Sequence, residues 1–246
     1  MEYYLVYFVL TLFFSTLFAM GGVGSAIGLV PIFSMMDMSL NLAKALGLFI
    51  NSVSTITSSI SNFYRGVLDV KFAIPLIIAI IIATPIGAWL SQYVEQTLVE
   101  WMLVAFLLIS VFLLLFSNRE VKVVYEKAWV LYLTGGSVGL ISGMIGVGGG
   151  SLIMPVLILL GFDAKKAAHA VSFIIPFSTL GAFATYLSFV EMNWILLAIV
   201  SVAAIIGRFL GQRIMHYQLS AKQVKKLIAV VLLMLAAKMM WSLLGY

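Results

Sequence analysis

Apolar residues run through this chain in long blocks, separated by short polar stretches or by clusters of glycine. Blocks near the ~17 to 25 residues that cross a hydrocarbon core cover Tyr3 to Met20, Leu42 to Asn62, Phe72 to Leu90 and Leu98 to Phe116. After the polar stretch Ser117 to Lys127 come Trp129 to Ile145, Ala167 to Val190, Trp194 to Arg213 and Leu227 to Leu244. The pattern predicts eight spanning helices. Two further apolar pieces, Ala26 to Met36 and Leu152 to Leu160, are too short to cross comfortably, and each directly follows a run of glycines. They read as half-helices.

The two glycine runs are copies of one another. Met20-Gly21-Gly22-Val23-Gly24-Ser25-Ala26 in the first half answers Ile145-Gly146-Val147-Gly148-Gly149-Gly150-Ser151 in the second, and in each a Gly-Val-Gly triplet stands seven residues before a proline, Gly24 to Pro31 and Gly148 to Pro155. Further on, Ala43-Lys44-Ala45-Leu46 parallels Ala168-His169-Ala170-Val171. Ile86-Gly87-Ala88-Trp89-Leu90-Ser91-Gln92 likewise parallels Ile206-Gly207-Arg208-Phe209-Leu210-Gly211-Gln212. Gly, Pro and Gln recur in order along with the hydrophobes, which argues for duplication rather than shared composition. The chain divides into a first repeat, 1–116, a linker, 117–127, and a second repeat, 128–246.

Basic residues orient these halves, because Lys and Arg collect on the cytoplasmic side of short membrane loops. If the short pieces merely extend the spans before them, the basic residues scatter evenly over both faces. If each doubles back, one face holds Arg65, Lys71, Arg119, Lys122, Lys127, Lys165, Lys166, Arg208, Arg213, Lys222, Lys225 and Lys226, and the other only Lys44 and Lys238. Twelve against two selects the second arrangement. Both termini then lie outside, the linker is cytoplasmic, and the halves run in opposite directions. The expected fold is an all-α polytopic membrane protein of two inverted-topology repeats. Each repeat has four spanning helices plus a re-entrant half-helix after its glycine loop, with the substrate near the midplane.

Composition narrows the function classes. With 246 residues, 63% hydrophobic and 9% charged, and a mean hydropathy of +1.18, the chain lacks the polar surface a soluble domain needs. No hydrophilic stretch approaches domain length. The amino end is apolar from Tyr3 without a basic n-region or a small-residue cleavage site, so it reads as a retained span. A net charge of +5 is ordinary topology signal, and no nucleic acid partner is expected. The absence of cysteine removes disulfides, thiolate nucleophiles and thiolate metal sites. No Walker motif is present, and neither His169 nor His216 opens a metal-ligand motif. An enzyme and a bound cofactor are therefore not expected.

What remains is the chemistry of the glycine loops. Backbone that leaves helical geometry in a membrane exposes polar groups that cost several kcal/mol each unless protein or a wet cavity receives them. Where the chain resumes as a short helix, its first amides carry partial positive charge, glycine admits a ligand to the backbone, and Ser25 and Ser151 add hydroxyls. Gly22, Gly24, Gly146, Gly148, Gly149 and Gly150 would line such an anion cradle from the two halves. Pro31 and Pro155 donate nothing to the carbonyls of Ile27 and Ser151, which leaves these either to hold a coupling cation or merely to mark a kink or a helix start.

Polar residues inside the spans are the next candidates. Asn51, Ser52, Ser54, Thr55, Thr57, Ser58, Ser59, Ser61 and Asn62 make one helix unusually hydrophilic, and Asn51, Thr55, Ser58 and Asn62 share a face. That face either lines the path, with Asn51 touching substrate, or glues helices together. In the second half, Ser172 near a helix start is the matching candidate, ahead of the sparser Ser178, Thr179 and Thr185. Arg208 either neutralises an anion or snorkels to the cytoplasmic face, the second being favoured. Lys44 and His169 occupy repeat-related places and are candidates for coupling or gating. His169 titrates near neutrality.

A glycine loop, a short proline-bearing helix and an alanine-flanked helix start (Ala167-Ala168-His169-Ala170-Val171-Ser172), once per half, resemble the sulfite exporter TauE/SafE family of membrane transporters. Gly207-Arg208-Phe209-Leu210-Gly211 is similar to that family's Gly-x-x-x-Gly stretch. The resemblance implies transport of sulfite, sulfoacetate or a related organosulfur anion. The first half departs from the pattern: Ser25 and Ala26 interrupt a fuller glycine run, and Gly47 stands where Thr or Ser is usual.

The expected function is therefore secondary transport of a small sulfur oxyanion or organosulfonate across the cytoplasmic membrane by alternating access. An anion-selective channel, or a carrier of another small carboxylate or oxyanion, is the alternative. Expected partners are the small anionic substrate, membrane lipid, a coupling proton or sodium ion, and a second copy of the chain in a homodimer.

Overall fold

Hydrocarbon offers a backbone amide no partner outside its own chain, so long apolar blocks have to become helices. In the computed structural model all eight of them do. The structure describes residues 2–20, 24–36, 38–64, 74–116, 127–149, 152–153, 156–157, 160–162, 164–217 and 221–245. The helices are α1 (Glu2–Met20), α2 (Ala26–Met35), α3 (Leu40–Tyr64), α4 (Ile74–Leu90), α5 (Gln96–Phe116), α6 (Ala128–Ile145), α7 (Ala164–Leu187), α8 (Trp194–Tyr217) and α9 (Ala221–Leu243). Among the described residues there is no strand.

Six helices, α1 and α5 to α9, are long and apolar enough to cross a membrane by themselves. The other two expected spans, in α3 and α4, are shorter apolar stretches among the described residues, Leu40–Ile56 and Ile74–Leu90. The amino-terminal half-helix α2 has 10 residues, about 15 Å of rise, or half the ~30 Å core. Its residues Ala26 to Pro31 and Phe33 are all buried, so protein rather than lipid surrounds it. The helix starts five residues before Pro31, which removes the reading in which that proline begins it. The second half-helix is described only at residues 152–153 and 156–157, which are helical. Pro155 lies outside the described residues, as does the linker 117–127 up to Lys127.

Glycine decides which helices lie closest. α4 packs along α6 and α1 along α8. A Cβ on Gly87 would fall 2.1 Å from the Leu140 carbonyl oxygen, and one on Gly143 2.2 Å from that of Thr84. At the other pair, a Cβ on Gly207 would sit 2.7 Å from the Leu12 carbonyl and one on Gly211 2.3 Å from that of Thr16. The α1–α8 contacts climb in step, and so do the pairs Gly135 with Leu76, Gly139 with Ala83 and Gly143 with Ala88 along α6 and α4, so in both pairs the partners run in the same direction. Such close approach is how membrane helices gain dispersion and weak polar contact without a hydrophobic drive. α3 and α7 pack the other way, with Phe49 against Phe183, Ser52 bonded to Thr179 and Ser59 to the Ser172 carbonyl. That order is antiparallel. α5 packs on α9, the start of one beside the end of the other.

Side chains such as Leu5, Phe13, Ile82, Phe112, Leu133, Phe209 and Met234 point outward and are exposed. The interior is largely apolar as well, with buried polar side chains such as Asn51, Ser52, Thr55, Ser178 and Thr179 gathered on α3 and α7. Apolar residues on the outer surface suit a lipid solvent.

The tight glycine seam makes a direct prediction. Gly143→Ala places a methyl on the Thr84 backbone and should lower the thermal unfolding midpoint in detergent, by an amount equivalent to about 1–3 kcal/mol. Gly136→Ala, on the same helix but with nothing within 4 Å, should be neutral or stabilising by up to ~1 kcal/mol. Equal midpoints for the two variants would refute the α4–α6 packing.

Candidate functional site

α6 ends where Gly146 adopts a left-handed conformation, φ 78° and ψ 21°, with its N–H on the Ser142 carbonyl. Gly148 follows at φ 76°, and the chain turns helical again only after Gly149, whose carbonyl accepts from Leu152 and Ile153 at 3.1 and 2.9 Å. On the other side α1 stops at Met20 and α2 begins at Ala26, with the Ser25 carbonyl accepting from Gly28 and Leu29 at 3.2 and 3.1 Å. The backbone therefore leaves helical form twice within the bundle.

Both breaks close on one side chain. A Cβ on Gly24 would lie 2.7 Å from each terminal atom of the Asn51 amide, and a Cβ on Gly148 3.2 Å from its nitrogen. Asn51 is 1% exposed, and its side-chain oxygen is buried without a hydrogen-bond partner. The hydroxyl of Ser25, next to Gly24, is likewise buried and unpartnered. Each such group costs about 1–3 kcal/mol, so the node gains from a ligand or water that meets it.

Hydroxyls from three helices fix the second loop in place. The Gly149 N–H donates to Ser178 Oγ at 3.1 Å, and that oxygen lies 3.3 Å from Thr84 Oγ1. The neighbouring Thr179 hydroxyl accepts from Ser52 at 2.7 Å, donates to the Ile175 carbonyl at 2.8 Å, and its methyl fills the space a Cβ on Gly148 would need. The Tyr186 hydroxyl lies 2.8 Å from the Gly143 carbonyl and 3.0 Å from that of Met144. These groups hold the unwound end of α6.

Two cations stand beside the node. Arg208 is 8% exposed and its Nη1 donates to Ser54 Oγ at 3.4 Å, one turn along α3 from Asn51. It points into the bundle, so the favoured snorkelling orientation is corrected and Arg208 leaves the tally of residues at the cytoplasmic face. Lys44 is 1% exposed, its stem lying where a Cβ on Gly146 would fall. Among the described residues these two are the buried charges, and no Asp or Glu is buried with them.

The structure thus brings together Gly24, Ser25, Asn51, Gly148 and Gly149, with Gly146 one step away against Lys44. Ser172 is elsewhere: seven residues before Thr179, about two turns along α7, where its carbonyl serves Ser59. Ser178 and Thr179 take the place the sequence reading gave to Ser172. The hydrophilic helix does glue the bundle, since Ser52 and Ser59 bond across to α7, while Asn51 faces Gly24 and Gly148. Gly22, Gly150 and Ser151 lie outside the described residues, and so does the side chain of His169. Gly47 has a packing reason, because a Cβ there would meet a Val30 methyl at 2.6 Å. A Ser or Thr would push α2 off α3.

Comparison with known proteins adds one match. Residues 7–239 fit the family model described as Sulfite exporter TauE/SafE. No curated protein matches the chain.

The bond that pins the second loop can be tested alone. Ser178→Ala leaves the buried Gly149 N–H without its acceptor and should destabilise the protein by about 1–3 kcal/mol in thermal unfolding. Ser137→Ala, at an exposed serine that bonds only its own helix, should shift the midpoint by less than ~0.5 kcal/mol equivalent. A silent Ser178→Ala would show that this bond does not hold the loop.

Proposed function

Because the chain belongs to the sulfite exporter TauE/SafE family, a family of multi-pass membrane transporters, we propose that it carries a sulfite-like oxyanion or small organosulfonate across the cytoplasmic membrane by alternating access. The observation that carries this reading is the meeting of two glycine-lined backbone breaks, one from each half, at Asn51, beside buried cations with no buried acid among the described residues. A site of that charge and donor chemistry favours an anion. An oxyanion there receives the Asn51 amide, the Ser25 hydroxyl and the amides of the loop, with Arg208 and Lys44 offsetting its charge.

The pairing of helices supports an inverted duplication. α3 and α7 are repeat-related by the sequence alignment and pack antiparallel, as do α5 and α9, while α4 with α6 mirrors α8 with α1. Exchanging the halves leaves this list of partners unchanged. With the basic residues on the linker side, the reading places both termini outside and 117–127 in the cytoplasm. In rocking, the α3–α7 seam is the surface that slides. Its Ser52–Thr179 and Ser59–Ser172 bonds are single hydrogen bonds, worth about 0.5–1.5 kcal/mol each, which a transporter can exchange at thermal cost. A proton or a sodium ion supplies the coupling.

Asn51→Leu tests the site. Sulfite counterflow in proteoliposomes should fall at least about tenfold, the loss of one charge-assisted hydrogen bond of ~1.5 kcal/mol. The thermal midpoint should stay level or rise, since an unpartnered buried oxygen is removed. Wild-type flux in the variant would overturn the site, and unitary conductance steps in place of saturable counterflow would make the protein a channel.

A further inference from the structure

The buried lysine stands at the end of a second polar space. A cavity of about 270 Å³ opens between the start of α3 and the turn joining α4 to α5, with Asn41, Lys44, Ser91, Gln92 and Gln96 among its lining residues. One water occupies about 30 Å³ of liquid, so the cavity admits an oxyanion with part of its hydration shell. Burying an ammonium costs several kcal/mol unless a counter-charge or donor set compensates. Among the described residues Lys44 forms no salt bridge: its Nζ stands 5.4 Å from the centroid of the Tyr186 ring, a modest cation–π contact. Glu100 attracts the ammonium electrostatically, while its carboxylate accepts from Gln96 at 2.7 Å.

The same residues touch the machinery of the central site. The Lys44 stem occupies the space beside Gly146, and Tyr186 under its ammonium braces the Gly143 and Met144 carbonyls. Ser91 both lines the cavity and lies 3.0 Å from the Tyr186 hydroxyl. An anion drawn to Lys44 is therefore one side chain away from the unwound end of α6. We propose that this cavity is an anion vestibule, in which Lys44 supplies the charge and Asn41, Ser91 and Gln92 the hydrogen bonds. It holds the oxyanion on its way to or from Asn51. The assignment rests on the transport reading above, and places a second, outer binding step on the face where α4 meets α5.

Two variants test it in the full-length protein with sulfite as the probe. Lys44→Met should raise the half-saturating sulfite concentration about tenfold, as for loss of one nearby charge, and move it more than the saturated rate. Its thermal midpoint should hold or rise, since an uncompensated buried charge is gone. Gln92→Glu, at an exposed position, adds a repelling charge without a packing change and should raise half-saturation at least about threefold. It should do so only for sulfite presented from that face. If Lys44→Met fails to fold, Gln92→Glu decides. Saturable wild-type transport with wild-type half-saturation in both variants overturns the vestibule and leaves the transporter standing. Wild-type protein that moves no sulfite, yet shows a sulfite-induced thermal shift that Lys44→Met or Gln92→Glu abolishes, overturns the transport reading and keeps the vestibule.

Discussion

The structure depends on one constraint: in hydrocarbon a backbone amide or carbonyl without a partner costs several kcal/mol. That rule turns the apolar blocks into helices and confines any departure from helix to the protein interior. The two departures here obey it. α2 is buried through Ala26 to Pro31, and the second break is packed against α3 and α7, with Ser178 and Tyr186 receiving its polar groups. Among the described residues, the buried hydroxyls of Thr11, Ser15 and Ser110 on α1 and α5 also lack a partner, but Asn51 Oδ1 and the Ser25 hydroxyl are the two such atoms that sit between the breaks.

Glycine serves that node in two distinct ways. At Gly87, Gly143, Gly207 and Gly211 it sits in regular helix and lets α4 approach α6 and α1 approach α8 to backbone contact. These parallel pairs are stiff, because no side chain can repack between backbones so close. At Gly146 and Gly148 it supplies positive φ, which only glycine adopts without strain. The rigid pairs flank α3 and α7, whose contact is made of hydroxyl bonds and aromatic edges instead. Stiffness at the margins and exchangeable bonds at the seam suit the rocking motion proposed above.

Much of this was legible in the chain, for identifiable reasons. Hydropathy marked the helices because lipid imposes it, and the glycine copies were visible because a backbone break leaves a compositional trace in an otherwise monotonous sequence. Asn51 stood out as an amide in an apolar block. Ser178 and Thr179 did not, since serine and threonine are common in membrane helices, and what distinguishes these two is a partner thirty or more than a hundred residues away. Arg208 was legible as a charge but not as a direction: a long side chain reaches either the interface or the bundle, and only packing against Ser54 decides. Lys44 was legible as a repeat-related candidate for coupling or gating, but not as a buried charge. The close approach of Gly146 to its stem, a consequence of how α6 terminates, is what encloses it.

The sign of the interior bears on how such a site can release what it binds. A buried cation without a buried acid is electrostatically unfavourable, and an anion beside it would relieve the cost. Full relief at a single point would trap the anion, because affinity gained at rest slows departure. Two cations at separated places, Lys44 beside Gly146 and Arg208 one turn from Asn51, each compensate only part of the charge. In the proposed transport reading an oxyanion meets graded stations rather than one deep well, and the cost it relieves at one is partly restored as it leaves for the next. Placing the larger unmet demand in the protein's own interior, rather than in the ligand's contacts, keeps binding favourable enough to enter and weak enough to leave.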